Sequence, residues 1–380
     1  MGRKALLLRE LRARHFRNLR EIDLRFPDGP VLFWGDNAQG KTNLLEAIYF
    51  LATGRSFRSR NDRECVAWNA PADEAASVAG RVERADAQRE IRVVLYQGEK
   101  RLFLDGKPLA RLAELFGELN AVLFTPADLQ IVQGGPSARR RFLDLELSQI
   151  SPIYLAALQR FNQALRHRNA LLRTGRPLER IALDLAPYEA ILADAAGEIL
   201  RYRAAALEEL GRRAAQAYSE FGAGERLELS YRYFMRNDGA AEGADIVDRY
   251  RDRLQADRAD DLRQGSTRNG PHRDDFLLTL DGRNAHDFAS QGQQRSCALA
   301  LRIAEVGLME ARRGEAPLLL LDDLGSELDA GRRTRLLETL RGGAQAFLTT
   351  TRRTDFVADL PLAASWRVDA GSATEMTDSP

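Results

Sequence analysis

The fold is decided by one stretch of sequence, VLFWGDNAQGKT, which runs from Val31 to Thr42. Its first four residues are apolar and are typical of a short strand buried on both faces. The next eight match the pattern G-x-x-x-x-G-K-[ST] in full, and a helical pattern of apolar residues follows from Leu44. In this order a strand, a glycine-bounded turn and a helix place backbone N–H groups around phosphate oxygens. The sequence therefore predicts a phosphate-binding loop made of Gly35, Asp36, Asn37, Ala38, Gln39, Gly40, Lys41 and Thr42.

Two residues of this loop have individual predicted roles. Lys41 is expected to reach the β- and γ-phosphates of ATP, and Thr42 to place its hydroxyl on Mg²⁺. The alternative, a chance match in a turn, is disfavoured by the strand before the loop and the helix after it.

A second run, Leu318–Leu321, ends in the carboxylates of Asp322 and Asp323. Four apolar residues predict a buried parallel strand, whose carboxyl end is where catalytic side chains lie in α/β sheets. Asp322 is predicted to hold Mg²⁺ together with Thr42, and Asp323 to orient or deprotonate the attacking water. The alternative is that the pair only caps the following loop. Because 280 positions separate Thr42 from Asp322, the sheet is predicted to be built from both chain ends.

A third segment, ASQGQQR at 289–295, precedes a predicted helix that ends near Arg313. A serine and a glycine at a helix start favour an anion site, although they also suit a capped helix with no ligand. The segment resembles the signature motif of ABC-type ATPases, the sequence class LSGGQ. That resemblance implies that four residues close on the γ-phosphate held by a second copy: Ser290, Gln291, Gly292 and Gln293. Residues 326–329 then lie at the position of the ABC D-loop, and Thr349–Thr351 replace the switch histidine of ABC transporters.

Composition limits the class of protein. The chain has 380 residues with 56 Lys and Arg against 55 Asp and Glu, so the net charge of +1 neither indicates nor excludes nucleic-acid binding. Two cysteines are too few for a disulfide framework. No run approaches the roughly 18 apolar residues of a membrane span, and the first residues lack a secretory pattern. We therefore expect a cytoplasmic protein without a membrane partner.

The periodicity predicts the organisation of the chain. Both ends alternate strands and helices, whereas residues 152–221 follow helical spacing. The predicted fold class is α/β, a P-loop ABC-type ATPase core built from both chain ends, with an inserted, mainly helical subdomain. The predicted bounds are 1–147 and 266–370 for the core, 148–265 for the insertion, and 371–380 for a disordered polar tail.

Beyond these motifs the chain resembles the RecF family of SMC-related recombination and repair ATPases. The resemblance rests on residues 15–19, 43–48, 54–56, 124–129, 134–136, 139–144 and 270–275. It implies a cytoplasmic protein that binds ATP, Mg²⁺ and single-stranded or gapped DNA, and that dimerises around two ATP molecules. It further implies weak, DNA-stimulated ATP hydrolysis, assistance to RecO and RecR in loading the recombinase RecA, and roles in replication and the SOS response. Asp323, where many ABC ATPases have glutamate, agrees with slow hydrolysis because the shorter side chain misplaces the water.

The DNA contacts are predicted only from clustered arginines. The candidates are Arg55, Arg58, Arg139, Arg140 and Arg141, with Arg12, Arg14, Arg17 and Arg20 on the first strands. A solvated or salt-bridged arginine surface is the alternative for each of them, and 139–141 are equally suited to stabilise the junction with the insertion. Other functions left open are the nucleotide-binding subunit of an ABC transporter, an SMC-like structural DNA clamp and a P-loop kinase.

Overall fold

The computed structural model describes residues 6–59, 61–71, 73–84, 87–221, 224–235, 244–323, 330–354 and 360–376. The chain divides into two compact units. The first comprises Met1–Leu129, Gln216–Ala223 and Ala298–Pro380, and the second comprises Gln130–Ala215 and Gly224–Cys297. The first unit is therefore assembled from both ends of the chain, as the separation of the two sequence motifs predicts.

The strands, in chain order, are β1 (Leu6–Phe16), β2 (Leu19–Arg25), β3 (Pro30–Trp34), β4 (Ala76–Arg84), β5 (Ala87–Tyr96), β6 (Glu99–Leu104), β7 (Lys107–Leu109), β8 (Ala121–Phe124), β9 (Leu227–Arg232), β10 (Asp275–Leu280), β11 (Arg283–Asn284), β12 (Leu318–Leu321), β13 (Ala346–Thr350), β14 (Ala364–Asp369) and β15 (Ser372–Glu375). The helices are α1 (Lys41–Thr53), α2 (Leu129–Gln133), α3 (Pro136–Ile150), α4 (Pro152–Leu172), α5 (Leu178–Ser219), α6 (Ala244–Ala256), α7 (Arg258–Gln264), α8 (Ala285–Phe288), α9 (Gln291–Arg313) and α10 (Ala330–Arg341).

Two sheets form the first unit. One has the order β15-β14-β3-β13-β12-β8, and all its pairings are parallel except that of β15. The other is antiparallel, with the order β2-β1-β4-β5-β6-β7. Helix α1 contacts strands of both sheets, so most of its side chains are buried whichever way they point. The loop that starts this helix is thereby fixed from two sides.

Aromatic packing joins the strands that carry the site. The ring of Phe26 lies 4.8 Å from that of Phe347 and 5.4 Å from that of Trp366, and Phe33 lies 5.9 Å from Trp366. All four rings are buried, and such offset and edge contacts add about 0.5–1.5 kcal/mol per pair to the burial of apolar area. The parallel sheet therefore gives the phosphate loop a rigid base.

The second unit is not purely helical. Helices α3 and α4 pack on each other, α3 packs on β10, and β10 pairs with β9 and β11 in an antiparallel sheet. Its interior contains a buried ion network in which Arg168 donates to Glu189 and Asp261 at 3.2 and 2.7 Å. Removal of one partner from such a network leaves a buried charge unpaired, so these side chains fix the helix arrangement.

The structure confirms the α/β class and the strands and helices predicted around the three motifs, but the compact units differ from the predicted domain bounds. The second unit begins at Gln130 and ends at Cys297, whereas the predicted insertion spans 148–265. The reason is that β10 pairs with both β9 and β11 and packs against α3, so the residues on both sides of the predicted insertion belong to one core.

The predicted disorder from residue 371 is also corrected. Ser372–Glu375 forms β15, which pairs antiparallel with β14. Its side chains are mostly exposed, so the polar composition fits an edge strand that is held by backbone hydrogen bonds. Only residues 377–380 of the tail lie outside the described residues.

Candidate functional site

The phosphate loop lies between the carboxyl end of β3 and the first turn of α1. Gly35 and Gly40 have φ of +148° and +117°, which residues with a side chain rarely adopt. A Cβ at Gly35 would lie 2.3 Å from the carbonyl oxygen of Val368, and one at Gly40 would lie 2.8 Å from Oδ1 of Asn18. Gly35 is therefore required by backbone packing as well as by its dihedral angles, whereas a Cβ at Gly40 would displace the amide end of the Asn18 side chain.

Lys41 is folded inward across the loop. Its Nζ donates to the carbonyl oxygens of Gly35 and Asp36, both at 2.7 Å, and the residue is 7% exposed. Burial lowers the pKa of Lys41, and the negative charges of Asp323, Asp322 and Asp36 oppose this shift. The loop thus holds a poorly solvated cation at its centre, which favours the arrival of an anion.

The two distant carboxylates do meet the loop. Thr42 Oγ1 donates to Asp322 Oδ1 at 2.8 Å, and Thr349 Oγ1 donates to the same oxygen at 2.9 Å. The Asp322 N–H donates to the carbonyl oxygen of Phe124 at 2.9 Å, which fixes the end of β12 against β8. The pairing of β12, β13 and β3 places these residues at one edge of the parallel sheet. The structure brings Lys41, Thr42 and Asp322 together, as the sequence predicts.

Asp323 has a left-handed backbone conformation. Its φ is +49°, in the left-handed region, and its N–H donates to Thr349 Oγ1 at 2.9 Å. Non-glycine residues in this region are uncommon and often belong to functional sites. Thr349, the first of the three threonines at the switch position, therefore contacts both aspartates.

The donor set fits magnesium. A threonine hydroxyl and a carboxylate are the hard oxygen ligands that Mg²⁺ takes, and Mg²⁺ commonly uses one or two carboxylates plus phosphate oxygens. Within the described residues there is no group of three or more His, Cys, Asp or Glu side chains that would form an all-protein metal cage. Thr42 and Asp322 would therefore suit a metal ion that takes its remaining ligands from phosphate and water.

One ion pair beneath the loop was missed by sequence reasoning. Arg17 donates through Nε and Nη2 to the two carboxylate oxygens of Glu46 at 3.0 and 2.6 Å, and Ser56 Oγ donates to the same carboxylate. Glu46 is fully buried in α1. A charged residue on a helix face that periodicity assigns to the core requires a partner. The position of Glu46 in such a pattern could therefore have indicated a buried ion pair. Arg17 is therefore a structural residue rather than a DNA contact.

A hairpin near the end of the chain holds the phosphate loop from outside. The N–H of Gly371 donates to the carbonyl oxygen of Gln39 at 2.8 Å, and the N–H of Ala370 donates to Gln39 Oε1 at 2.7 Å. Asn18 Nδ2 also donates to the Gln39 carbonyl, at 3.2 Å. The turn between β14 and β15 thus fixes the residue that precedes Gly40. Gly371 belongs to residues 371–380, for which the sequence predicts a disordered tail.

The signature segment begins α9. Ser290 Oγ accepts from the Gln293 N–H at 3.2 Å, and Gln293 Oε1 accepts from the Ser290 N–H at 2.7 Å, which together form a capping box. Gln293 Nε2 donates to Glu225 at 2.6 Å. Ser290 and Gln291 are exposed, Gly292 is half-buried, and Phe288 just before them is 71% exposed. The predicted D-loop, residues 326–329, lies outside the described residues.

The candidate DNA arginines differ in their surroundings. Arg139 is buried, and its Nε and Nη2 donate to Asp275 at 2.7 and 2.9 Å, which corrects the expectation that it contacts DNA. Arg58 is half exposed and donates to Asn43 Oδ1 at 2.7 Å. Arg55 and Arg141 are exposed, and Arg140 is half-buried. Of these five, exposure leaves Arg55, Arg58, Arg140 and Arg141 as candidates, and Arg14 and Arg20 on the first strands are exposed as well.

Comparisons with known proteins identify the family of the chain. The family model "RecF/RecN/SMC N terminal domain" matches residues 7–363. The DNA replication and repair protein RecF of Lactobacillus delbrueckii subsp. bulgaricus is 43% identical over 341 residues, which are 88% of each chain. The chain belongs to the RecF family. A second family member, from Chloroflexus aurantiacus, is 42% identical over 94% of this chain and 97% of its own.

Solved structures extend the likeness to the fold. The structure of the recombination mediator protein RecF with ATP, of the RecFOR pathway, superposes with a TM-score of 0.90 at 33% identity and covers 99% of both chains. The Smc head domain of Pyrococcus furiosus has a TM-score of 0.56 at 17% identity, which shows a shared fold alone. Both agree with the predicted ABC-type ATPase core. Among the described residues, no helix is long and apolar enough to cross a membrane.

Proposed function

We propose that this RecF-family chain is an ATP-dependent DNA-binding protein of replication and recombinational repair, whose ATP-bound form is a homodimer. The observation that supports the proposal is the hydrogen bond of Thr42 with Asp322, which joins the phosphate-loop motif to a carboxylate from the other end of the chain. Family membership favours this function over a transporter subunit or a structural clamp, because the curated relatives named above are replication and repair proteins.

In the proposed site, ATP lies along the loop Gly35–Thr42 with Lys41 supplying positive charge. Mg²⁺ is assigned to Thr42 and Asp322, where it would neutralise phosphate charge. Asp323 is the candidate that orients or deprotonates the attacking water. Thr349 keeps both aspartates in place through its hydroxyl. We expect ATP hydrolysis to be slow and DNA-stimulated, with ATP binding as the main event.

Thr349→Val tests the positioning of these aspartates. Valine has a similar shape but no hydroxyl, so Asp322 loses one donor and the Asp323 N–H loses its acceptor. We expect ATP hydrolysis to fall about tenfold, or about 1.4 kcal/mol in activation free energy, with ATP affinity changed less than about threefold. The measurement is steady-state phosphate release beside equilibrium ATP binding. Thr349→Ser, which keeps the hydroxyl, is the matched control, and equal hydrolysis by the valine and serine variants would refute this role.

The second copy is proposed to use the signature segment. Ser290 and Gln291 are exposed at the start of α9, and the apolar side chain of Phe288 is exposed to solvent in the monomer. Helix starts attract anions, and an exposed aromatic residue suits a protein interface. These features support closure of Ser290–Gln293 on the nucleotide of the partner.

Ser290→Arg tests this closure. The longer cationic side chain is expected to block the approach of the partner, so the variant should bind ATP normally yet dimerise at least about tenfold more weakly with ATP. Sedimentation with and without ATP measures this. Gln255→Arg, on an exposed position of α6, is the charge-matched control. Because loss of the cap costs about 1 kcal/mol, thermal unfolding is recorded for both variants. Normal ATP-driven dimerisation of Ser290→Arg would contradict the closure.

The DNA part of the proposal concerns single-stranded or gapped DNA. Exposed arginines such as Arg55 and Arg141 give sequence-independent phosphate contacts, for which binding decreases steeply with salt. RecR and RecO are the protein partners that the family resemblance implies. Sedimentation of the parental chain with and without ATP, in the presence and absence of gapped DNA, tests nucleotide, dimer and DNA together. Absence of ATP-dependent DNA binding under all of these conditions would refute the proposed function.

A further inference from the structure

A loop of the second unit, Gly270–Asp275, is held by an unusually complete set of buried contacts. Arg203 Nη1 donates to the carbonyl oxygen of Pro271 at 2.7 Å and lies 3.3 Å from Asp274 Oδ2. The Asp274 carboxylate also accepts from Tyr231 Oη at 2.6 Å and from the Phe234 N–H at 2.9 Å. Asp274 and Arg203 are almost completely buried. Such a satisfied network fixes the loop in one conformation.

The carboxylates beside this loop are paired with two buried arginines. Asp144 accepts from Arg203 Nη2 at 2.7 Å, and Asp274 faces the same guanidinium. Asp275 forms the two-bonded pair with Arg139. Arg139 and Arg203 thus face three carboxylates, so Arg140 balances the third charge. Any further cation at this place, such as Arg273, has no carboxylate of its own in the described part of the chain.

Two further cations are present. Arg140 is half-buried, and the hydrogen bond that the structure shows for its side chain runs from Nη1 to the Asp274 carbonyl oxygen, at 2.6 Å, not to a carboxylate. Arg273 is exposed on the loop, one position before that carbonyl, and no ion pair joins it to the described residues. Burial and the charge of Arg203 lower the pKa of Arg140, which shows that its surroundings penalise the cation. An arriving anion would relieve this penalty.

We propose that Arg140 and Arg273 form a binding site for a backbone phosphate of DNA. Guanidinium groups bind phosphate oxygens with paired hydrogen bonds, and a rigid frame reduces the ordering cost of binding. Arg141, exposed at the next position of α3, adds positive charge, whereas Arg139 is excluded by its pair with Asp275. This inference rests on the DNA binding of the proposed function and specifies where on the chain it occurs. A phosphate of ATP is the competing ligand, but the loop Gly35–Thr42 already provides for it.

The test compares Arg273→Gln and Arg140→Gln with the parental chain in binding a fluorescent gapped duplex, with ATP present, over a series of salt concentrations. Each variant is expected to weaken DNA binding about five- to tenfold near physiological salt and to reduce the slope of log Kd against log salt by about 1. Arg283→Gln, an exposed arginine of the same unit, is the control and should leave the slope unchanged. Thermal unfolding of all variants checks the fold. Because Arg273 is exposed, the result for Arg273→Gln decides whether the inference holds.

The outcomes separate the inference from the proposed function. An unchanged slope for Arg273→Gln beside normal DNA binding by the parental chain would overturn the inference alone. Failure of the parental chain to bind DNA with ATP would overturn both. Equilibrium binding of ATP without DNA is measured as well, and a weakening of ATP binding by Arg273→Gln equal to that of DNA binding would assign the arginines to nucleotide phosphate instead.

Discussion

Lys41→Ala is expected to weaken ATP binding about a hundredfold, equivalent to about 2.7 kcal/mol of binding free energy. The variant removes the cation at the centre of the phosphate loop and also the two hydrogen bonds that join Gly35 and Asp36 across it. Charge-assisted hydrogen bonds to a phosphate are of this strength where the cation is poorly solvated. Equilibrium titration with ATP measures the change in affinity, and ATP-driven dimerisation should disappear in parallel.

Two further variants make this result specific. Lys107→Ala removes an exposed lysine of the first unit and should bind ATP like the parental chain. Lys41→Arg keeps the charge but brings a larger, planar group into a place where the lysine is buried, and should also lose ATP-driven dimerisation. ATP affinity of Lys41→Ala within about threefold of the parental value would show that this loop is not the nucleotide site.

Gly371→Ala is expected to weaken ATP binding about thirtyfold, although residue 371 belongs to no sequence motif. The new Cβ would lie 2.1 Å from the carbonyl oxygen of Asn18, and the φ of +79° is itself unfavourable for alanine. The turn must therefore withdraw, and Gln39 loses the N–H donors of residues 370 and 371. Two hydrogen bonds of about 1 kcal/mol each account for this weakening. ATP titration and thermal unfolding together measure it.

The matched control is Gly106→Ala, in the turn between β6 and β7. Its φ is +74°, close to that of Gly371, but a Cβ there has no heavy atom within 4 Å. This control therefore reports the cost of the dihedral angle alone, without displacement of the phosphate loop. If Gly371→Ala and Gly106→Ala bind ATP equally well, the hairpin does not position the loop.

The sequence predicted those parts of the site whose chemistry is local. A strand, two glycines, Lys41 and Thr42 are contiguous, so their pattern alone indicates a phosphate loop. Asp322 was found because a run of four leucines identifies the strand that carries it. The predicted pairing of Arg139 with DNA was wrong because an arginine run looks the same whether its members face solvent or Asp275.

By itself, the sequence determined the fold class and predicted the phosphate loop and its carboxylates, because each is encoded by residue type and spacing within a short segment. Only the tertiary structure decided which distant groups support them: Thr349 on Asp322, Arg17 on Glu46 and the hairpin turn on Gln39. It also decided which of the candidate DNA arginines pair with a carboxylate. These pairings depend on how strands far apart in the chain lie side by side, and backbone hydrogen bonds, such as those of β15, form regardless of side-chain composition.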